Sequence, residues 1–442
     1  MSSKTINNIP SELEAQHTNK PSYNYLTDTM DKHLSSKGVE FDEVDGFNRW
    51  VNTARKNDHY PFELARSTAA NRITTVESKE IGRKQLIDLS SYNYLGLSNH
   101  PEVVAASQKA VSQYGIGSAG SPVLSGTLDL HNRLESTLLS HLSVNDNQGI
   151  TLYTTGYNVA LGVIPSLYNR KDLIIIDAIS HTCIAEAAKA SRAKLLAFRH
   201  NDMESLEAIL KKFRHLFRRT LICTEGVFSV DGDKGKVSEI VALAKKYNAK
   251  TFVDEAHSIF VGGPRGKGIS SEQGVAADVD FFVFTFSKAI GGMGGAVVAT
   301  KEICQYLNWY SKCRMFSCAL PPGLTAGMTK AVEIASGNEG DQRRATLMDN
   351  TQYFISALKK ANIDIGETNT WIVPFIFGDE SKSLPICRSF IDSGVLSSVI
   401  QFPAVAKGAA RTRFFITSEH QKSDLDLVVQ KIIDSKQIHL QD

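Results

Sequence analysis

The sequence has few cysteines, almost no net charge and no long apolar run, and each shortage excludes a class of protein. Its six cysteines form no C-x-x-C pair, so we expect no zinc site and reduced thiols in a cytoplasmic protein rather than a disulfide framework. The 49 basic and 47 acidic side chains leave a formal charge of +2, which favours neither nucleic acid nor an acidic partner. No apolar run approaches the ~20 residues of a membrane span. Residues 1–20 are polar, so we expect no secretory signal there.

The length of 442 residues suits two domains and a terminal extension. We expect an N-terminal extension and arm over residues 1–85, a large domain over 86–322 and a small C-terminal α/β domain over 323–442. Within the arm, residues 47–65 are expected to form a helix that packs on the body or on a partner subunit. No internal repeat is present.

From residue 86 onward, short apolar runs alternate with amphipathic segments. Continuous apolar strands that alternate with helices indicate a mostly parallel sheet buried on both faces, and therefore the α/β class. The functional loops should then lie at the carboxyl ends of the strands. The predicted strands of the large domain are 150–153, 173–177, 195–198, 221–224, 251–254, 281–286 and 296–300. The predicted helices between them include 184–194, 203–213 and 237–247. The small domain is predicted to contain helices over 324–336 and 342–361 and strands near 371–377, 396–401 and 412–416.

Residues 251–295 carry the clearest chemical pattern. Asp254 ends a strand that should be buried, where an unpaired carboxylate is costly, and His257 follows three residues later. The next strand ends beside Lys288, which precedes a glycine-rich turn over 291–295. A lysine removed from water there has a lowered pKa and can act as an amine nucleophile. Taken singly, Asp254 could be a helix cap and Lys288 a surface side chain, but their order on successive strand ends favours a functional site.

The segments VDEAHS and TFSKAIGGMGG resemble the cofactor core of the fold-type I pyridoxal-phosphate enzymes, and more narrowly the α-oxoamine synthases. That family includes serine palmitoyltransferase, 8-amino-7-oxononanoate synthase, 2-amino-3-ketobutyrate CoA ligase and 5-aminolevulinate synthase. The resemblance covers about residue 86 to the C-terminus and implies a seven-stranded, mostly parallel sheet in the large domain. It implies that Lys288 binds pyridoxal 5′-phosphate as a Schiff base. Asp254 would then pair with the pyridinium nitrogen, and His257 would bond the phenolic oxygen.

Further motifs extend the resemblance around the cofactor. In TTGYN, a strand-to-helix turn, Gly156 and Tyr157 would lie against the phosphate, for which free helix N–H groups are suited. His181 in ISHTCIAEA would stack on the pyridine ring, although a helix cap or a surface role is the plain alternative. Hydroxyl groups of Ser229, in EGVFSVDGD, and of Thr285 and Ser287 would bind the phosphate or a cofactor oxygen. Glu225 of the same motif could be structural.

Other motifs would reach the substrate or the neighbouring subunit. FSCALPP resembles a family segment whose threonine hydroxyl contacts the neighbouring subunit's phosphate. Cys318 replaces that threonine, and because a thiol is a weak donor, Ser317 or a backbone N–H could substitute. Arg413 in ARTRFFI would hold the α-carboxylate of an amino acid, and Asn93 in SYNYLGL would contact the substrate.

One glycine pattern is misleading. Residues 115–120 fit G-x-G-x-x-G, but a helix is predicted just before them where a dinucleotide site needs a strand. The longer stretch GSAGSPVLSGTLDLHNRLE resembles an α-oxoamine synthase motif instead. Pro122 there replaces the family's usual arginine, so we expect acyl-group selection near that loop to differ.

These expectations define an enzyme that condenses an amino acid with an acyl thioester, carried by coenzyme A or an acyl carrier protein. The predicted catalytic residues are Lys288, His181 and Asp254, and loss of carbon dioxide should give an α-amino ketone. A long acyl chain, as in serine palmitoyltransferase, is weakly favoured over 8-amino-7-oxononanoate synthase or 2-amino-3-ketobutyrate CoA ligase activity. A plain aminotransferase or lyase is the alternative on the same fold. A non-catalytic partner subunit is disfavoured because Lys288 is present. We expect a homodimer with its active site at the subunit interface, and neither metal nor nucleic acid.

Overall fold

The computed structural model describes residues 24–27, 41–143 and 145–440. Most of the predicted extension before residue 41 therefore lies outside the described residues. In the described part of the chain, no helix has the length and apolar character required to cross a membrane.

The secondary structure alternates along most of the chain, as the apolar runs predict. The helices are α1 (Phe41–Lys56), α2 (Pro101–Tyr114), α3 (Asp129–Leu142), α4 (Gly156–Leu167), α5 (Thr182–Ser191), α6 (Met203–Phe213), α7 (Val237–Lys246), α8 (Ile269–Glu272), α9 (Lys301–Tyr310), α10 (Lys312–Met315), α11 (Pro322–Ser336), α12 (Asn338–Lys360), α13 (Ser383–Asp392) and α14 (Lys422–Leu440). The strands are β1 (Ala65–Arg66), β2 (Ile73–Ser78), β3 (Gly82–Asp88), β4 (Gln148–Tyr153), β5 (Leu173–Asp177), β6 (Lys194–Phe198), β7 (Thr220–Glu225), β8 (Lys250–Asp254), β9 (Phe281–Thr285), β10 (Gly295–Thr300), β11 (Ile372–Gly378), β12 (Val395–Leu396), β13 (Ser398–Ile400) and β14 (Ala410–Phe415).

The central sheet has seven strands in the order β4-β10-β9-β8-β7-β5-β6, which confirms the predicted mostly parallel sheet. Strand β10 runs antiparallel to both β4 and β9, and the other strand pairs are parallel. Strands β5, β7 and β9 are buried at every residue because helices cover both faces of the sheet. The carboxyl ends of six strands and the start of β10 therefore meet at one edge.

The arm and the small domain share a second sheet. Strands β1, β2 and β3 form a meander, and β12 joins β3 in parallel, pairing Val395 with Ile87. A third, antiparallel sheet of β11, β14 and β13 places Arg413 opposite Pro374. The predicted domain boundaries remain a prediction, although β3 crosses residue 86.

The helix predicted over residues 47–65 differs from the structure. Helix α1 begins at residue 41 and ends at Lys56, and Asp58 and Glu63 adopt positive φ angles of 58° and 56°. Pro61 lies between them and cannot donate a helical hydrogen bond. Trp50 joins α1 to residues 24–27, because its indole Nε1–H donates to the Tyr25 carbonyl over 2.9 Å.

A charged triad joins the end of β5 to the loops that follow β6 and β7. His200 contacts Asp177 through Nδ1 and Asp233 through Nε2, each over 2.9 Å. Burial lowers the pKa of His200, but the two carboxylates raise it more, to about 10. Among the described residues, His200, Asp231 and Asp233 are the one group spaced closely enough to hold a metal ion. An imidazolium whose two nitrogens both carry protons is, however, a poor metal ligand.

We expect His200→Ala to destabilise the protein by about 3 kcal/mol near neutral pH, because it leaves the fully buried Asp177 carboxylate without its cation. Since the folded-state pKa lies above the unfolded value, the contribution is full below pH 6.5 and is lost as pH rises through about 10. Urea unfolding at pH 6.5 and pH 9.5 measures the difference. The exposed His215→Ala is the matched control, and a stability gap independent of pH would contradict the ion-pair account.

Candidate active site

Five chain segments meet at the carboxyl edge of the central sheet and enclose a cavity of about 300 Å³. The residues that line it are Thr155, Gly156, Tyr157, His181, Cys183, Glu225, Asp254, Ala256, His257, Val283, Phe284, Thr285, Ser287, Lys288, Met293 and Gly294. Eight of the predicted site residues are among them: Gly156, Tyr157, His181, Asp254, His257, Thr285, Ser287 and Lys288. The structure therefore brings together most of the predicted cofactor site.

Lys288 lies three residues beyond the end of β9, in the turn that leads into β10. Gly291 and Gly294 in that turn have φ angles of 63° and 113°, so the chain can reverse there at little steric cost. Withdrawal from water lowers the pKa of Lys288 to about 8, whereas the nearby Asp254 and Glu225 act to raise it. A lysine with this pKa has an appreciable neutral fraction near pH 7 to 8, which suits an amine nucleophile and a general base.

Two carboxyl groups at the ends of β7 and β8 face the lysine. The Asp254 carboxylate accepts a hydrogen bond from the Ala256 N–H over 2.9 Å, which fixes its orientation. Glu225 accepts from the backbone N–H of His181 over 2.5 Å. Burial and the neighbouring Asp254 raise the pKa of Glu225 to about 8. Glu225 is thus largely neutral at pH 7.

His257 is held by the core behind the cavity. Its Nδ1 lies 2.7 Å from the buried Tyr94 hydroxyl, and its carbonyl accepts from the Trp371 Nε1–H over 3.1 Å. Burial lowers the pKa of His257 well below its usual range, and Lys288 and Arg413 lower it further. The imidazole is therefore neutral. If the Tyr94 hydroxyl donates to Nδ1, Nε2 carries the proton and can donate into the cavity.

His181 caps helix α5 at the opposite wall. Its Nδ1 accepts the backbone N–H of Cys183 over 3.2 Å and lies 3.0 Å from the Cys183 sulfur. Burial lowers the pKa of His181, while Asp254 opposes that shift. The Tyr157 ring meets the imidazole edge-on, with ring centroids 6.4 Å apart. His181 therefore caps the helix and also lines the cavity, while its predicted stacking on the pyridine ring remains a prediction.

The start of helix α4 fits a phosphate group. The first N–H groups of a helix have no intrahelical acceptor, and here only that of Asn158 is taken up by the Thr155 hydroxyl, over 3.0 Å. A Cβ on Gly156 would lie 2.7 Å from the Thr285 Cβ, so a larger residue would fill the space between Gly156 and Thr285. We call this space the phosphate cradle. The Thr285 and Ser287 hydroxyls, 2.9 Å apart, border the same space. The cradle, the amine and the carboxylate together satisfy what a phosphorylated pyridine aldehyde requires.

Arg413 lies on β14 and lines a separate cavity of about 570 Å³, between the arm and the small domain. Its Nη1 donates to the Ser229 carbonyl over 2.7 Å, and its buried Nε has no partner in the described structure. Its charge nevertheless acts on Lys288, His181 and His257. Arg413 is 8% exposed and keeps an unused donor, a combination that suits an anion.

Besides Arg413, four predicted residues lie outside the Lys288 cavity. Asn93 donates to the Ala70 carbonyl and the Ser98 hydroxyl and accepts from the Ser98 N–H, so its amide orders a turn. Ser229 contributes its carbonyl to Arg413. Cys318 is exposed and lines another cavity beside Pro122, and Ser317 precedes it. Their roles toward substrate, cofactor or a neighbouring subunit remain predictions.

The predicted set omitted three groups that the structure places at the site. Cys183 and Glu225 line the cavity, and Tyr94 supports His257. All three stand inside motifs that the sequence already displays, namely ISHTCIAEA, EGVFSVDGD and SYNYLGL. Their positions in those motifs were the available signal.

Comparison with known proteins identifies the family to which the chain belongs. The family described as aminotransferase class I and II matches residues 84–432. The chain is 36% identical over 373 residues to an 8-amino-7-oxononanoate synthase from Thermoanaerobacter pseudethanolicus, covering 83% of this chain and 93% of that protein. It is 33% identical over 388 residues to a serine palmitoyltransferase from Bacteriovorax stolpii, covering 88% and 90%. The chain belongs to the α-oxoamine synthases of the aminotransferase class I and II family.

Solved structures agree with this family. A serine palmitoyltransferase from S. paucimobilis, described with bound pyridoxal phosphate and myriocin, superposes with a TM-score of 0.84 at 28% identity, covering 91% of this chain and 99% of that one. This α-oxoamine synthase is therefore a pyridoxal-phosphate-dependent C-acyltransferase with the fold-type I architecture. Its cofactor is pyridoxal 5′-phosphate.

Proposed function

We propose that this α-oxoamine synthase joins the α-carbon of an amino acid to the acyl group of a thioester, with loss of carbon dioxide and release of the thiol. The observation that carries the proposal is Arg413, a buried guanidinium with an unused Nε–H whose charge reaches Lys288. An α-carboxylate bound there would bring the Cα–H bond to the lysine. The names of the relatives support the same reaction class.

The cofactor, when bound, supplies an electron sink that stabilises a carbanion at the α-carbon. His181 and Ala256 would flank its ring, the start of α4 at Gly156 would hold its phosphate, and Asp254 would pair with its ring nitrogen. Thr285 and Ser287 would donate hydroxyl hydrogen bonds to the phosphate, and His257 would donate to the phenolic oxygen.

The side chains then divide the proton transfers. Lys288, partly neutral near pH 8, takes the proton from the α-carbon and returns one to the product. Asp254 would pair with the ring nitrogen of the cofactor and favour its protonated form. His181 is neutral and donates a hydrogen bond to the substrate carboxylate or to the thioester carbonyl. Arg413 orients the amino acid so that the reacting bond stands across the ring plane, a positioning effect that supplies several kcal/mol.

One feature supports our proposal of an acyl group with an apolar tail rather than a small polar one. Pro122 stands where the resemblance places an arginine, and Leu124 and Ile116 on the same loop after α2 are exposed apolar side chains. We therefore retain the serine-palmitoyltransferase type as the first candidate. The 8-amino-7-oxononanoate synthase type is the second, because the relatives of 36–38% identity carry that name.

We further propose a homodimer in which the Cys318 loop reaches the partner's cofactor. Within one chain, Cys318 lines a cavity distinct from that of Lys288, so it would act only across an interface. Exposed Phe316, which is 79% accessible, would be covered by the same contact.

A substrate matrix tests the reaction. The purified enzyme is supplied with serine, alanine, glycine or arginine and with acyl-coenzyme A thioesters from short to long chain, and thiol release is recorded together with carbon dioxide. We expect thiol release that requires both substrates and matches the carbon dioxide formed. Amine transfer to a 2-oxo acid without thiol release would instead establish the aminotransferase alternative.

Arg413→Lys should raise KM for the amino acid by at least ~10-fold, because a lysine cannot form the paired hydrogen bonds of a guanidinium. The KM for the acyl thioester should change little. Arg411→Lys is the matched control, since Arg411 sits two residues away on β14 and pairs with Asp231. Equal effects of the two variants on the amino-acid KM would argue against a carboxylate site at Arg413.

A further inference from the structure

The contact between Cys183 and His181 has a consequence for the chemistry of the imidazole. Cys183 is 4% exposed, stands one residue into helix α5 and lines the reaction cavity. Its sulfur lies 3.0 Å from His181 Nδ1, which is close for a sulfur–nitrogen contact. The same nitrogen also accepts the backbone N–H of Cys183 over 3.2 Å.

Two donors directed at one ring nitrogen fix the position of the ring proton. A neutral imidazole carries its proton on one nitrogen and accepts at the other. The backbone N–H at position 183 can only donate, so Nδ1 must be the acceptor and Nε2 must carry the proton. The thiol can then contact Nδ1 favourably only as an S–H donor.

The surroundings keep the thiol protonated. Burial raises the pKa of Cys183, and the carboxyl groups of Asp254 and Glu225 raise it further, while Lys288 acts in the opposite direction. A thiolate in this position would also face the lone pair of Nδ1. The sulfur is therefore a donor rather than a nucleophile.

The other groups around His181 come from every neighbouring element. Asp254 at the end of β8 favours the imidazolium, whereas Lys288 after β9 and Arg413 on β14 disfavour it. From β7, Glu225 binds the backbone N–H of His181 rather than its ring. On α4, Tyr157 contributes only a ring edge. In the described structure, donors to the ring itself thus come from residue 183 alone.

We propose that Cys183 is a positioning residue whose thiol donates to His181 Nδ1 and holds the neutral imidazole in the tautomer protonated on Nε2. His181 then presents an N–H donor, and no lone pair, to the reaction cavity. It can hydrogen-bond a developing oxyanion or a carboxylate but cannot take the α-proton, which leaves that transfer to Lys288. This inference rests on the proposed function only for the identity of the substrate group that accepts the hydrogen bond from His181 Nε2–H.

Three substitutions separate the hydrogen bond from the packing. Cys183→Ser keeps a donor, Cys183→Ala removes it and leaves space, and Cys183→Val removes it while filling the space. The holoenzyme is labelled with ¹⁵N-histidine, His181 is assigned by the loss of its signals in His181→Gln, and its tautomer and pKa are followed by NMR between pH 5 and 9. A tautomer is visible without any turnover.

We expect the wild type and Cys183→Ser to show the Nε2–H form. Cys183→Ala and Cys183→Val should both raise the pKa of His181 by about half to one unit, since a lost donor to the neutral form is worth about 1 kcal/mol. An Nδ1–H form in the wild type, or unchanged His181 titration in both Ala and Val variants, would overturn the proposal. Failure of the acyl transfer itself would leave these NMR results unaffected, so the two claims can fail separately.

Discussion

Replacing Lys288 by alanine should lower kcat by at least ~1000-fold, because one change removes both the covalent anchor of the cofactor and the base for the α-proton. The fold should survive, since the Lys288 side chain borders a cavity rather than filling the core. After dialysis, purified Lys288→Ala should show no visible absorbance from bound cofactor, whereas the wild type treated in the same way should retain it. Borohydride reduction of the wild type should attach the cofactor to the peptide that contains Lys288.

Lys288→Arg and Lys301→Ala complete that experiment. Arginine keeps the positive charge but cannot lose a proton near neutral pH, so it should be as inactive as alanine. Lys301 is an exposed lysine at the start of α9, and its loss should leave turnover and absorbance unchanged. Turnover of Lys288→Ala above one tenth of the wild-type rate would remove the lysine from the mechanism.

Asp254→Asn should lower kcat by about 100- to 10,000-fold with little change in cofactor content. The amide occupies the same volume and can still accept the Ala256 N–H, so the loop should keep its shape. The substitution has two effects. The cofactor's ring nitrogen would lose the partner that favours its protonation, and the charged reaction centre would lose electrostatic stabilisation.

The same substitution should displace the pH profile. Asp254 raises the pKa of Lys288, which lies at about 8, so its removal should bring that pKa below 8. The limb of the kcat profile that reports deprotonation of the lysine should move to lower pH. Asp278→Asn, an exposed aspartate paired with Lys245, is the control. A profile that keeps its position while kcat falls would separate Asp254 from Lys288.

The sequence predicted the central sheet well because its strands are buried on both faces. Strand β5 matches its apolar run residue for residue, and helix α6 begins and ends where its amphipathic pattern does. The arm was poorly predicted because β1 to β3 contain polar residues such as Thr74, Thr75 and Arg83, which lack a clear alternation. Strands β1 to β3 are stabilised by pairing with one another and with β12, and no local sequence pattern indicates that pairing.

The site was predictable where one motif supplies one function, as for Lys288 and Asp254. It was not predictable where a residue serves through a neighbour. The role of Tyr94 depends on a 2.7 Å contact with His257, 163 residues away, and the role of Glu225 on the backbone of His181. Such pairings follow from strand order rather than from spacing along the chain.

The meander of β1, β2 and β3 has a consequence for synthesis on the ribosome. Its open edge meets β12 only after residue 395 has emerged, and the Arg72 guanidinium meets Asp424 at a separation of 352 residues. Contacts this distant in sequence form late and slowly. One edge of the meander therefore stays unpaired until almost the entire polypeptide has been made. We expect nascent chains of this enzyme to be most prone to aggregate just before β12 emerges from the ribosome.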